Sequence, residues 1–356
     1  MSASFATEMP DRHAPWRMHP RFADAITALD AKTKPIGALG QLETVAIQLA
    51  CLQNTVTPSV DRARVLIFAA DHGIADDGVS AYPKAVTREM VRNFGSGGAA
   101  ICVFARSVDV ELEVIDVGVD GDMAGLSGLT HASVRRGTRN MRHEPAMTDL
   151  ECGAACDVGR SAVRRARADG MQAILLGEMG IGNTTAAAAL TSALTGAPPH
   201  LTVGRGTGLD DTAHARKIVI VREIVQRHCV TGASAREVLT AVGGLEIAAL
   251  VGAMLEAADA GMAVLVDGYI VTAAALVACR IEPQCRPTLI FAHQGAEPGH
   301  AIALGALDAA PLLHLELRLG EGSGAALALP LVRAAARMMT EMATFESAGV
   351  SIATST

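Results

Sequence analysis

From residue 64 onward the chain alternates short, unbroken apolar runs with longer stretches in which apolar residues return every three or four positions. The short runs are Arg64–Ala70 (RVLIFAA), Glu113–Val119 (EVIDVGV), Ala173–Leu176, Ala263–Val266 (AVLV) and Thr288–Ala292 (TLIFA), each flanked by polar residues or glycine. A strand with one wet face alternates apolar and polar residues, whereas a strand covered on both faces is apolar throughout. Ala154–Arg167, Thr184–Leu194 and Lys217–His228 lie between these runs and read as Ala-rich helices. The alternation predicts an α/β fold: a large domain with a mostly parallel sheet flanked by helices. Ahead of it, Arg21–Ala31 and Gln41–Cys51 read as two helices joined by a turn at Lys34-Pro35-Ile36-Gly37. Residues 1–20 are polar, carry Pro10, Pro15 and Pro20, and are expected to be loose. Ala325–Met342 predicts a long helix that can pack with the first two. The expected organisation is a small helical domain from both chain ends (1–60 with 331–356) and an α/β domain over 61–330. No fixed-period repeat or low-complexity tract interrupts this plan.

Composition narrows the function classes. Half of the 356 residues are hydrophobic and only 3% are aromatic, so the core is aliphatic and its helices pack closely. The 35 glycines fall in clusters, which suits tight loops against a ligand. A net charge of −7 argues against a nucleic-acid partner held through phosphates. Seven cysteines, at 51, 102, 152, 156, 229, 279 and 285, are an odd number and read as reduced cytoplasmic thiols. Cys152 and Cys156 share a helix face, but without a CxxC pair or a nearby His they do not predict zinc. Met1–Arg21 has no apolar core of the signal-peptide kind, and no apolar stretch reaches the ~20 residues of a membrane span. A soluble cytoplasmic protein without membrane contact is expected.

Chemistry-bearing residues recur where the predicted strands end: Asp71 and His72, Glu178, Asp267 and His293. In open α/β sheets the ligand crevice lies beyond those ends. The loop Gly177–Thr185 (GEMGIGNTT) follows a strand and opens a helix, and such a helix start suits a phosphate. It lacks the Lys of a Walker A loop and the spacing of the dinucleotide fingerprint. Taken alone, it also reads as a tight capped turn. A second glycine loop, Val203–Asp211 (VGRGTGLDD), leads to Lys217, either a phosphate-neutralising point charge or a solvated surface lysine. In a third loop, Leu317–Gly324 (LRLGEGSG), one carboxylate stands between glycines. Poor hydration there would raise its pKa and suit a general base, and a helix-capping Glu is the alternative. Asp76 and Asp77 read as an exposed turn rather than metal ligands. The absence of HExxH, of GxSxG and of a convincing Cys/His pair disfavours zinc proteases and serine or cysteine hydrolases.

Taken together, KPIGALGQLE (34–43), AADHGIADDGVSAYPKAVT (69–87), VIDVGV (114–119), GEMGIGNTTAAAAL (177–190), VDGYIVTAAAL (266–276), RLGEGSGAALALP (318–330) and MATFESAGV (342–350) resemble the nicotinate-nucleotide–dimethylbenzimidazole phosphoribosyltransferase family, in order and over nearly the whole chain from 34 to 350. The resemblance implies transfer of phosphoribose from nicotinate mononucleotide to 5,6-dimethylbenzimidazole, giving the α-ribazole phosphate used for the lower ligand of cobalamin. It also implies a homodimer with sites near the subunit interface. It assigns Glu321 as the base and Glu178 as stabiliser of the developing ribosyl cation. It places Gly180, Gly182, Asn183, Thr184, Gly204, Gly206 and Lys217 near phosphate and ribose, and Tyr82, Met90, Met179 and Leu319 around the acceptor base. Neither a metal nor an organic cofactor is expected. Members of the family vary at the positions of Tyr82 and Met90, which are Ser and Gln in some, and at that of Gly295, which is Ser in some. The same chemistry on another base, or a non-catalytic nucleotide binder, are the alternative functions.

Overall fold

The computed structural model describes residues 16–206, 208–228 and 232–351. Most of the expected loose N-terminal segment, and Cys229, lie outside the described residues. The chain divides into a larger unit from Val60 to Pro330 and a smaller one from its two ends, up to Ser59 and from Leu331 on.

The larger unit is built on one six-stranded sheet: β1 (Ala63–Ala70), β2 (Glu111–Gly118), β3 (Leu129–His131), β4 (Ala173–Met179), β5 (Ala263–Val266) and β6 (Leu289–Phe291). Their order is β3-β2-β1-β4-β5-β6, and every pairing is parallel. Five of these strands match the predicted apolar runs. The sixth, β3, is three residues at an edge and has no apolar run to announce it. β5 and β6 are buried at every position, as strands covered on both faces must be. The helices Asp149–Ala168 and Leu245–Ala260 are packed so closely that a Cβ at Gly159 would lie 1.8 Å from the Ala249 carbonyl oxygen, and one at Gly252 would lie 2.0 Å from that of Cys156. Glycine is required at this crossing. The strand order reverses between β1 and β4, which sets a crevice at their carboxyl ends.

In the smaller unit, helices Phe22–Asp30 and Gln41–Leu52 are joined to the C-terminal segment by a bridge between Lys32 and Thr344. Lys32 Nζ also donates to the Met342 carbonyl (2.9 Å). Lys34 and Glu43 form a buried ion pair at 3.0 Å. Among the described residues no helix is long and apolar enough to cross a membrane.

Candidate active site

A cavity of about 360 Å³ lies over the carboxyl ends of β4, β5 and β6. Its floor holds Glu178, Glu321 and His293; its apolar wall includes Val86, Met90, Met179, Ile270 and Leu319. All five chemistry-bearing residues at strand ends are buried: Asp71, His72, Glu178, Asp267 and His293. Only Glu178 and His293 line the cavity. His72 sits behind it, its Nε2 2.6 Å from Glu246 Oε1 in a pair with no solvent exposure. Asp71 Oδ2 accepts from Asp120 N at 2.8 Å.

Glu321 is held by an unusual stretch of backbone. Its φ is +65°, and those of Gly320 and Gly322 are +89° and +86°. Three consecutive left-handed residues are costly for the one that carries a side chain, and such strain persists only where the surroundings enforce it. Here Asp267 enforces it from the end of β5. Its Oδ2 accepts from Gly322 N (3.1 Å) and its Oδ1 from Ala325 N (2.9 Å). Asp267 rather than Glu321 therefore satisfies the first turn of helix Ser323–Glu341, which removes the capping reading of Glu321. The loop also rests on β4: a Cβ at Gly177 would lie 2.5 Å from the Glu321 carbonyl carbon and oxygen. Glu321 Oε2 accepts from Ile101 N at 3.4 Å. Burial raises the pKa of Glu321; the Ile101 N–H works against that rise and the Asp267 charge adds to it.

Glu178, at the end of β4, accepts a hydrogen bond from Asn183 Nδ2 on the helix that follows. Its carboxyl is pushed up to about 8, first by burial and then by the charges of Glu246 and Asp267; Asn183 opposes the rise and Glu321 adds a further charge. Ile181 N donates to Thr87 Oγ1 (3.1 Å) and fixes the loop between them.

Lys217 is not a solvated surface lysine. It is 1% exposed, and its Nζ donates to Thr184 Oγ1 at 2.8 Å. Burial pulls its ammonium down to about 8, against the pull of the Glu297 carboxylate. A Cβ at Gly206 would lie 3.5 Å from this nitrogen. Thr184, Asn183, Gly180 and Gly206 line the cavity; Gly182, Gly204 and Lys217 do not. Gly182 packs on the 72–75 turn and Gly204 on the Glu297 carboxylate. Tyr82 and Leu319 sit at the rim, 53% and 57% exposed, while Met90 and Met179 are half-buried. Among the described residues no group of three or more His, Cys, Asp or Glu side chains is placed to hold a metal ion.

Two lining residues, Tyr269 and Glu297, escaped the sequence reading. Tyr269 follows Asp267-Gly268 and donates its hydroxyl to the Thr202 carbonyl (3.1 Å). Glu297 lines the cavity from the segment after β6. Gly295 N donates to His300 Nδ1 (2.9 Å), and His300 Nε2 is 3.0 Å from Thr272 Oγ1. An imidazole accepting at Nδ1 is neutral with its proton on Nε2, in keeping with the pull of burial to about 3.

Residues 19–350 match the model of a phosphoribosyltransferase family. A nicotinate-nucleotide–dimethylbenzimidazole phosphoribosyltransferase of Pseudomonas aeruginosa PAO1 is 52% identical over 342 residues, covering 94% of this chain and 97% of that protein. The chain belongs to the nicotinate-nucleotide–dimethylbenzimidazole phosphoribosyltransferase family. A protein of the same name from Pseudomonas putida KT2440 is 52% identical over 318 residues, covering 89% of this chain and 91% of its own length. The crystal structure of CobT from Thermus thermophilus superposes with a TM-score of 0.90 at 50% identity, over 93% of this chain and 98% of that one. The α/β architecture with its parallel sheet is thus shared by the family.

Proposed function

We propose that the chain transfers the phosphoribosyl group of nicotinate mononucleotide to 5,6-dimethylbenzimidazole, releasing nicotinate and forming α-ribazole 5′-phosphate, a step toward the lower ligand of cobalamin. The observation that carries this reading is Glu321, a buried carboxylate with a raised pKa facing an apolar cavity. Met90, Met179, Val86 and Leu319 offer an acceptor base an aliphatic wall, closed at the rim by Tyr82. With its N–H toward Glu321, the base loses that proton to the carboxylate while its other nitrogen attacks C1′ from the face opposite nicotinate. The C1′–nicotinate bond breaks with its electron pair passing to the ring nitrogen, which neutralises the pyridinium and needs no acid. Glu178 stands opposite the charge that develops on the ribose. As folded it holds a proton up to about 8, and a pyridinium ring beside it would draw that proton off, leaving the anion to stabilise the cation. Thr184, Gly180, Gly206 and the Lys217 ammonium behind them serve the phosphate.

No step in this scheme calls for a metal, so the rate should survive excess chelator. With Tyr82 and Met90 where Ser and Gln stand in some members, the acceptor wall offers no polar side chain from these two positions except the Tyr82 hydroxyl. Benzimidazoles should therefore outcompete adenine. The chain works as a cytoplasmic homodimer in this reading, with the exposed rim at Tyr82 and Leu319 as the apolar surface a second copy would cover. The small domain from the chain ends and the α/β domain are its two parts. The direct test is nicotinate release from nicotinate mononucleotide by the purified protein with and without dimethylbenzimidazole, followed by competition among bases. Release only in the presence of a base supports the transferase. Tight nucleotide binding without release under any condition supports a non-catalytic binder and overturns it.

A further inference from the structure

The phosphate side of the cavity contains a carboxylate that the scheme above does not use. Glu297 lines the wall, and among the described residues its Oε2 is buried without a hydrogen-bond partner. The fold makes room for it: a Cβ at Gly204 would lie 1.9 Å from that oxygen, so glycine at 204 accommodates this carboxylate. The Lys217 ammonium attracts this carboxylate as an opposite charge, and no hydrogen bond joins the two among the described residues. The Tyr269 hydroxyl donates to the Thr202 carbonyl, and Lys217 Nζ donates to Thr184 Oγ1. An orphaned acceptor oxygen is expensive, and a carboxylate is an unfavourable neighbour for a phosphate dianion. A ligand that brings a hydrogen-bond donor to this wall would satisfy the carboxylate. A nicotinate nucleotide with an ionised phosphate carries two such donors, the 2′- and 3′-hydroxyls of its ribose; its carboxylate, phosphate and pyridinium nitrogen have none.

We infer that Glu297 is a substrate-binding residue that accepts a hydrogen bond from a ribose hydroxyl, making the site selective for ribo- over deoxyribonucleotide donors. The inference rests on the phosphoribosyl-donor reading of the cavity. A carboxylate acceptor adds discrimination that the glycine loops cannot, because backbone N–H groups that hold a phosphate are indifferent to the sugar hydroxyls. A site built to bond a hydroxyl rejects the analogue without it far more strongly than an apolar pocket would.

The test uses nicotinate mononucleotide and its 2′-deoxy and 3′-deoxy analogues, with the parent protein, Glu297→Gln and Glu297→Ala. Both kcat/KM with dimethylbenzimidazole and calorimetric affinity without it are read. For the parent, loss of one of the two hydroxyls should cost roughly 10- to 100-fold, the span of one charge-assisted hydrogen bond. The variants should lose a similar factor on the ribonucleotide and almost nothing further on that deoxy analogue. Equal losses on all three donors, or a parent indifferent to both hydroxyls, would overturn the inference. The parent donor series stands by itself should either variant fail to fold. The calorimetric arm separates this inference from the transferase reading: no nicotinate release with hydroxyl-dependent binding sinks only the latter, whereas turnover with no hydroxyl preference sinks only the former.

Discussion

Gly177→Ala tests whether the position of the Glu321 carboxylate limits turnover. The added methyl carbon would lie 2.5 Å from the carbonyl carbon and oxygen of Glu321 and 2.6 Å from Gly322 N, where ordinary contact begins near 3.4 Å. These are backbone atoms held by Asp267, so they cannot swing aside, and the loop must retreat by about 0.9 Å. Gly177 is not among the residues with positive φ, so alanine suits its local conformation and the clash is the whole perturbation. Overpacking of this kind costs ~1–3 kcal/mol of stability. A displacement near 1 Å between a base and its proton costs about 10²-fold in rate. Gly159→Ala is the control. Its methyl would lie 1.8 Å from the Ala249 carbonyl oxygen at the helix crossing and should cost at least as much stability. Initial rates of nicotinate release at saturating substrates, with melting temperatures on the same preparations, decide the matter. The expectation is a kcat about 100-fold lower for Gly177→Ala and an unchanged kcat per folded molecule for Gly159→Ala. A Gly177→Ala protein that turns over within three-fold of the parent, or a Gly159→Ala protein that loses as much activity, would refute the reasoning.

Glu321→Gln should lower kcat by roughly 10²–10⁴ with little change in nucleotide affinity, and the parent rate should decline in acid with an apparent pKa above that of a free Glu, followed by a pH–rate profile. Lys217→Met should raise the KM for nicotinate mononucleotide more than it lowers kcat, since a phosphate contact is largely uniform binding. The same variant should melt higher than the parent at pH 7: Lys217 titrates near 8 in the fold against 10.5 in the open chain, so its buried charge costs on the order of 3 kcal/mol below pH 8. That advantage should fade between pH 8 and about 10.5, and an unchanged melting point would show that the ammonium is well solvated. Glu178 has the opposite window. It keeps its proton up to about 8 while the unfolded chain ionises near 4.5, so stability should fall as pH climbs through that interval. Glu178→Gln should flatten this slope in urea unfolding measured across the range, and an identical slope would count against the assignment.

The elements were legible where local pattern and burial agree. β5 (AVLV) is apolar in sequence and buried at every position. Helix Asp149–Ala168 starts five residues ahead of the predicted Ala154, at a capping box formed by Thr148 and Glu151 that the apolar periodicity alone did not mark. β3 was hidden because three residues of mixed character form a strand only by lying along β2. Within the site, Glu178 and Glu321 stand in glycine loops and could be found locally. Lys217 could not be resolved this way: it follows Arg216 on a helix, and the Thr184 hydroxyl that engages it comes from 33 residues earlier. Gly204 looks like a phosphate-loop glycine, but its reason is a carboxylate 93 positions later, at Glu297. Asp267 reads as a turn residue after a strand, and its task of anchoring Gly322 and Ala325 emerges only when β5 is set beside that loop.

The order of the sheet also has a consequence for biosynthesis. β1 is central, yet its neighbour β4 begins at Ala173, more than 100 residues after β1 starts at Ala63. On a ribosome that delivers ~5–20 residues per second, one edge of β1 waits several seconds or longer for its partner. An apolar strand with an open edge is a template for pairing with other chains. The cavity closes later still, since Glu321 follows all six strands. Early truncation products of this chain should therefore be aggregation-prone and devoid of the base, so that premature termination yields insoluble material rather than a partly active enzyme.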